Sequence, residues 1–152
     1  LDNLIAKGKK IDDVIDIGCG TAVLAMAAAK VSSSRVIASD VDQVAVEVAL
    51  ANLKANELEN RITCFQAMGF EDTQIKSNAP FDLIFANILK PPLIDLAPCI
   101  RRYLKSSGHA IISGILDVQA REIIDVYRQN KLEVLDRIDI DEWVTLTLIS
   151  SK

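Results

Sequence analysis

The chain has a single histidine, His109, in 152 residues, so it cannot assemble a multi-histidine metal centre. A hydrolytic triad would need that histidine beside an activated Ser or Cys, and its place directly after Gly108, at the start of a strand-like run, points instead to a structural role. The three cysteines, Cys19, Cys64 and Cys99, are far apart and form no C-x-x-C pair. Their scatter argues against a zinc cluster and for a reduced setting, taken as cytoplasmic. No apolar run reaches the roughly 18 to 20 residues that a bilayer demands, so no membrane partner is expected. No charged, apolar, small-residue signal pattern opens the chain either. The formal charge is -4, with Lys and Arg scattered along the sequence, which leaves no basic footprint for direct nucleic-acid binding. Chemistry therefore falls to a bound cofactor or cosubstrate.

What is present is a globular composition, with half the residues apolar and a quarter charged, at a length that suits one domain spanning residues 1–152. Apolar strands and helical segments alternate from Val14 onward. "VIDIG" reads as a buried strand and "TAVLAMAAAKV" as a helix pressed on a sheet. "RVIASD" is a second strand, and Asp42 is placed to cap the helix "QVAVEVALANLKAN", whose apolar face is expected at Val46, Leu50 and Leu53. "RITCFQA" and "FDLIFAN" follow as strands on either side of the polar stretch "EDTQIKSNAP". Pro91, Pro92 and Pro98 punctuate a helical region ending near Leu104, with Pro98 best suited to a first helical position. "HAIISGI" is a fifth strand and Asp117 the expected cap of "VQAREIIDVYRQN". Strand, helix and strand at this spacing imply right-handed crossovers and a parallel sheet. "KLEVLDRIDI" and "EWVTLTLIS" lie too close together for a crossover, so they form an antiparallel hairpin at the end of an α/β, mostly parallel seven-stranded sheet.

In an open parallel sheet the ligand site lies beyond the carboxyl ends of the strands, where strand order reverses. After the first strand come Gly18 and Gly20, whose lack of a Cβ lets backbone N–H groups approach a ligand at a helix start. After the second is Asp40, 22 positions beyond Gly18, near the spacing at which an acid accepts hydrogen bonds from ribose hydroxyls. After the fourth is Asn87, an amide that both donates and accepts. Each has a plainer reading, as a tight turn, a solvated strand end or a turn cap; it is their convergence on one nucleoside-sized place that speaks for a site. A dinucleotide fingerprint needs a third glycine where Val23 stands, and Ala22 falls at the start of the helix, where its methyl group is expected to tax packing slightly. Asp16, two residues before Gly18, would repel a pyrophosphate and favour a cationic group such as the sulfonium and ammonium of S-adenosyl-L-methionine. An NAD-dependent oxidoreductase is the weaker reading, since nothing supplies a hydride-transfer acid.

"DIGCGTA", "ASDVDQVAVEVALANLKAN", "FDLIFANILKPPLIDLAP", "ISGILDVQ" and "EWVTLTL" resemble, in order and spacing, the catalytic domain of the ribosomal protein L11 methyltransferases. The resemblance runs from about Ile11 to Leu148 and implies a class I, Rossmann-like, S-adenosylmethionine-dependent methyltransferase fold. It implies a protein N-methyltransferase acting on lysine side chains and an α-amino group of a large-subunit ribosomal protein, with S-adenosyl-L-methionine as cofactor. Carried over, Gly18 matches a glycine of the cofactor turn, in which Gly20 also faces the ligand, Asp40 the acid on the ribose, and Asn87 the asparagine of the "ANIL" motif beside the methyl donor; no catalytic base is assigned. The chain departs from the family at Ala22, at Ser106-Ser107-Gly108, and at Leu1, which follows the point where the family has a Gly-Thr-Gly-x-His-x-Thr-Thr loop. A separate amino-terminal recognition domain is also missing, so a catalytic domain cut from a longer protein, or a shortened relative, is expected. A catalytically inactive nucleoside-binding or interaction module of the same fold is the alternative.

Overall fold

A computed structural model describes residues 1–6, 8 and 10–150. After a short helix α1 (Asp2–Ala6), the chain alternates β1 (Asp13–Ile17), α2 (Val23–Val31), β2 (Arg35–Asp40), α3 (Gln43–Ala55), β3 (Ile62–Gln66), α4 (Thr73–Asn78), β4 (Phe81–Asn87), α5 (Lys90–Tyr103), β5 (Leu104–Leu116) and α6 (Asp117–Gln129). It closes with β6 (Leu132–Ile140) and β7 (Trp143–Ser150). The strands form one seven-stranded sheet in the order β3-β2-β1-β4-β5-β7-β6. β1 to β5 run parallel, and β7 lies antiparallel between β5 and β6. The expected parallel sheet with a terminal hairpin is therefore what the chain builds. No helix among the described residues is long and apolar enough to cross a membrane.

Central strands are buried on both faces, as continuous apolar runs in a parallel sheet should be: Val14, Ile15 and Ile17 of β1 and Leu83, Ile84 and Phe85 of β4 are all in the core. Helix α2 lies against the sheet through Ala25, Ala28 and Ala29, small residues that let backbone approach backbone. α5 and α6 cover the opposite cluster, where the buried Tyr127 hydroxyl donates to the Leu93 carbonyl at 3.0 Å. The sheet thus has two cores, one on each face.

Several local expectations shift. The polar stretch before β4 contains a one-turn helix, α4, capped by Asp72, whose side chain accepts from the Gln74 N–H; Ile75 alone anchors it in the core. In α3 the apolar face centres on Val46, Ala49 and Leu53, leaving Leu50 on its rim at 45% exposure. Asp42 does cap α3, accepting from the Val44 N–H at 2.9 Å. Asp117 does not cap α6: Leu116 holds that position, and the Gln119 side chain reaches back to its N–H. β5 begins five residues earlier than the apolar run suggests, so His109 sits inside a strand, paired with Leu83 and Ile149.

Pro98 lies in the interior of α5 rather than at its first turn, where Pro91 is found. Its ring removes the N–H that would bond the Ile94 carbonyl, one turn earlier. The helix persists because Leu93, Ala97 and Ile100 are fully buried beneath it. Pro98 itself faces solvent, so Pro98→Ala is expected to stabilise the domain by about 1–2 kcal/mol in urea unfolding, the regained bond being offset in part by a freer unfolded chain.

Candidate functional site

Strand order reverses between β1 and β4: α2 leaves β1 toward β2, while α5 leaves β4 toward β5. Beyond the carboxyl ends of the strands on the β1–β2–β3 side lies a cavity of about 500 Å³. Its floor is Ile17, Gly18 and Ile88, one wall is the loop from Ala67 to Glu71 after β3, and the other is the start of α5 from Pro92 to Cys99. Phe70 in the first wall stacks on Tyr103 of α5, centroids 5.1 Å apart, which ties the two walls together. Among the described residues, Asp40, Glu71 and Asp95 are the charged side chains that line it, and neither Lys nor Arg does.

The turn after β1 is held from β2. The Gly18 and Cys19 N–H groups both donate to the Ser39 carbonyl, at 2.8 and 3.0 Å, and the Gly20 N–H donates to Asp40 Oδ2 at 2.9 Å. Three successive donors are therefore engaged within the protein, and the expectation that they reach a ligand is corrected: this turn makes no N–H cradle for a phosphate. What Gly18 offers is closeness. Its φ is +69°, and a Cβ there would stand 2.4 Å from Ile88 Cγ2, so glycine is what lets the β1 turn lie against the end of β4. Gly20 sits in the same turn with open space beside its Cα.

Asp40 ends β2 with both carboxylate oxygens oriented: Oδ2 accepts from Gly20 and Oδ1 from the Asp42 N–H at 3.0 Å. Each oxygen keeps a lone pair for a further donor, and the group lines the cavity. Asn87 does not. It is exposed at the end of β4, in a neighbouring depression of about 460 Å³ with Leu89, Ser113, Gly114 and Trp143. Ile88 borders both spaces and forms the ridge between them.

Asp16 proves to be a buried helix support rather than a cavity residue. It is 1% exposed beneath α2, and its Oδ2 accepts from the N–H of Ala25, the third helical residue, at 3.1 Å. It does from the strand what a capping side chain does locally, because Ala22, at the capping position, has none to offer. Ala22 holds φ +62° while fully buried. The expected packing tax is thus a backbone one, on the order of 1 kcal/mol for a left-handed residue with a Cβ. Val23, at the missing third glycine, points to solvent at 59% exposure, so close helix packing never required glycine there.

Burial, followed by the nearby charge of Asp40, raises the Asp16 carboxyl to about 7; its bond from Ala25 opposes the shift. Its Oδ1 has no hydrogen-bond partner among the described residues. Cys19 lies behind the turn, and its hydrogen bond with Cys64 and its burial push the thiol up, which keeps it protonated and unreactive. Among the described residues no cluster of His, Cys, Asp or Glu could hold a metal ion.

Reading strand ends one, two and four located Gly18, Asp40 and Asn87, but the segment "AMGFE" after the third strand was overlooked, though the same rule points to it. Asp95 is the one charged residue of the α5 wall, and as an acid on an amphipathic helix it does not stand out in the sequence. Trp143 lies in a strand of the closing hairpin, where nothing local in the sequence marks it as a neighbour of Asn87.

The strand order, with the cavity at the reversal point, is that of the class I, Rossmann-like methyltransferase fold. Residues 1–150 match the profile of the ribosomal protein L11 methyltransferase family, and the chain belongs to that family. It is 37% identical over 144 residues to the ribosomal protein L11 methyltransferase of Agrobacterium fabrum, covering 95% of this chain and 49% of the relative. Against the enzyme of that name from a Chelativorans species it is 41% identical over 134 residues, covering 88% and 46%. The crystal structure of a ribosomal protein L11 methylase from Lactobacillus delbrueckii subsp. bulgaricus superposes with a TM-score of 0.88 at 28% identity, covering 97% of this chain and 74% of that one. The chain spans about half the length of the curated relatives it matches.

The raised carboxyl of Asp16 has a defined consequence. Between about pH 4 and 7 the unfolded chain has lost this proton while the folded chain keeps it, so this group's contribution to stability falls as pH rises through that window and is level above it. Urea midpoints measured across pH should therefore show wild type losing stability relative to Asp16→Asn from pH 4 to 7; a difference independent of pH would show an ordinary carboxyl.

Proposed function

We propose that this chain is the catalytic domain of an S-adenosylmethionine-dependent protein N-methyltransferase whose acceptor is a large-subunit ribosomal protein, the one its relatives are named for. The observation that carries the reading is the chemistry of the cavity. It pairs apolar walls sized for a nucleoside with a carboxylate, Asp40, fixed by two backbone N–H groups, and its charged lining among the described residues is acidic. A pyrophosphate would meet three carboxylates and no free cradle; a sulfonium and ammonium would meet favourable charge.

The residues present fit S-adenosylmethionine, which when bound supplies an electrophilic methyl group. Asp40 would accept from the ribose hydroxyls, and Ile17, Phe70 and Leu96 would flank the base. Methyl transfer to an amine is an in-line displacement in which the neutral amine is itself the nucleophile, so alignment and exclusion of water matter more than a base. Asn87 stands across the Ile88 ridge with an exposed amide, placed to accept from an amine N–H and turn its lone pair toward the ridge. Trp143 shares that depression and offers an aromatic face to the alkyl stem of a lysine.

Calorimetry on this chain should show S-adenosylhomocysteine binding and no comparable affinity for NAD; the reverse order would overturn the assignment. Asp40→Ala should weaken nucleoside binding by about 1.5–3 kcal/mol, the range for hydrogen bonds to a charged group. Asn87→Ala is expected to lower methyl incorporation into the ribosomal protein much more than it lowers nucleoside affinity, as an alignment role demands.

A further inference from the structure

Asn87 carries the acceptor side of the reading above, yet no hydrogen bond among the described residues holds its amide. Its direction must come from what packs against it. The nearest constraint is Gly114 on the adjacent strand. Asn87 pairs with Ser113 at the last register position between β4 and β5, and immediately beyond it β5 loses its register with β7, between Ile112 and Ile115. Ser113 and Gly114 form this bulge, a device that bends a strand and re-aims what lies beside it. Ser113 pins it, its hydroxyl 2.9 Å from Thr145 Oγ1.

Gly114 adopts φ +79°, and a Cβ on it would lie 2.6 Å from the Ile88 carbonyl oxygen and 3.0 Å from Asn87 Oδ1. Ordinary carbon-to-oxygen contacts are about 3.3–3.6 Å, so even alanine would drive the Asn87–Ile88 turn outward by several tenths of an ångström or more. On the other side Gly18 presses its Cα against the Ile88 side chain. The ridge between the two depressions is thus gripped by two glycines, one in the turn after β1 and one on β5, the strands that flank β4.

We propose that Gly114 is a positioning residue for methyl transfer: the bulge at Ser113-Gly114 sets the direction of the Asn87 amide, and Gly114 acts only through Asn87 and the Ile88 ridge. This rests on the function proposed above. Asp40 lies on the far side of Gly18, two strands from β4, so the ribose anchor is untouched by Gly114; Ile88 borders both spaces, so a displaced ridge disturbs acceptor alignment more than nucleoside binding.

The test is a cycle of Gly114→Ala, Asn87→Ala and the double variant. Gly114→Ala should lower kcat by about 10- to 100-fold, the effect of misplacing a reacting group by up to an ångström, with S-adenosylhomocysteine affinity falling by a clearly smaller factor, because Ile88 borders that cavity while Asp40 is untouched. In the Asn87→Ala background the same change should lower kcat by a clearly smaller factor, the remainder coming from the displaced Ile88 backbone; effects that multiply in full, or an unchanged kcat in the single variant, overturn the proposal. Should Gly114→Ala fail to fold, Ser113→Ala, which frees the bulge from Thr145 with Gly114 intact, must show the same dependence on Asn87. A crystal structure of Gly114→Ala should show Asn87 to Leu89 displaced. An undisplaced turn overturns the proposal even if wild type proves not to transfer methyl groups, an outcome that would by itself sink only the functional reading.

Discussion

Where β1 ends, the chain turns toward β2 while β4 beside it sends its helix the other way, and the site exists because nothing crosses the gap between them. That gap has to be kept narrow enough to shape a ligand and open enough to admit one. Gly18 achieves the first, by letting its turn touch Ile88 without a Cβ in the way. The Ser39 carbonyl and the Asp40 carboxylate achieve the second, by holding the turn back against β2 through the N–H groups of Gly18, Cys19 and Gly20. The same three bonds remove the donors a phosphate would need and fix the carboxylate a ribose would use. One local constraint therefore suits the nucleoside with uncharged ribose that the proposed function calls for better than it suits a diphosphate.

The polar groups that support the turn are recruited from distance rather than from sequence neighbours. Ala22 cannot cap α2, so Asp16 does so from beneath it, and burial raises its carboxyl to about 7. A carboxyl in that state is a source of instability near neutral pH, offset by the satisfied helix terminus and by the apolar burial of α2 on the sheet. This is a domain in which the machinery for binding is kept at some expense to stability, as sites built on strained turns commonly are.

Much of this was legible from the chain. Alternation and spacing placed five parallel strands and the closing hairpin, and the rule about carboxyl ends located Gly18, Asp40 and Asn87. Other features were hidden for physical reasons. The left-handed backbone of Ala22 leaves no mark in composition, since alanine is an ordinary helix residue. Asp16 looked like a ligand group because a sequence shows that a carboxylate is near a turn, not on which side of it. Pro98 looked like a helix start because propensity speaks of the local chain, while Leu93, Ala97 and Ile100 beneath it are held by tertiary burial. The part of Gly114 depends on a register shift against β7, more than thirty residues away in sequence.

The central claim is that the cavity beside Gly18 takes a nucleoside by its ribose on Asp40 and points the reacting end at the Ile88 ridge. A crystal structure of this chain with S-adenosylhomocysteine tests it most directly. The account predicts both ribose hydroxyls within hydrogen-bond distance of the Asp40 carboxylate, the base between Phe70 and Leu96, and the sulfur beside Ile88 facing Asn87. A nucleoside seated elsewhere, or one whose ribose turns away from Asp40, would contradict it.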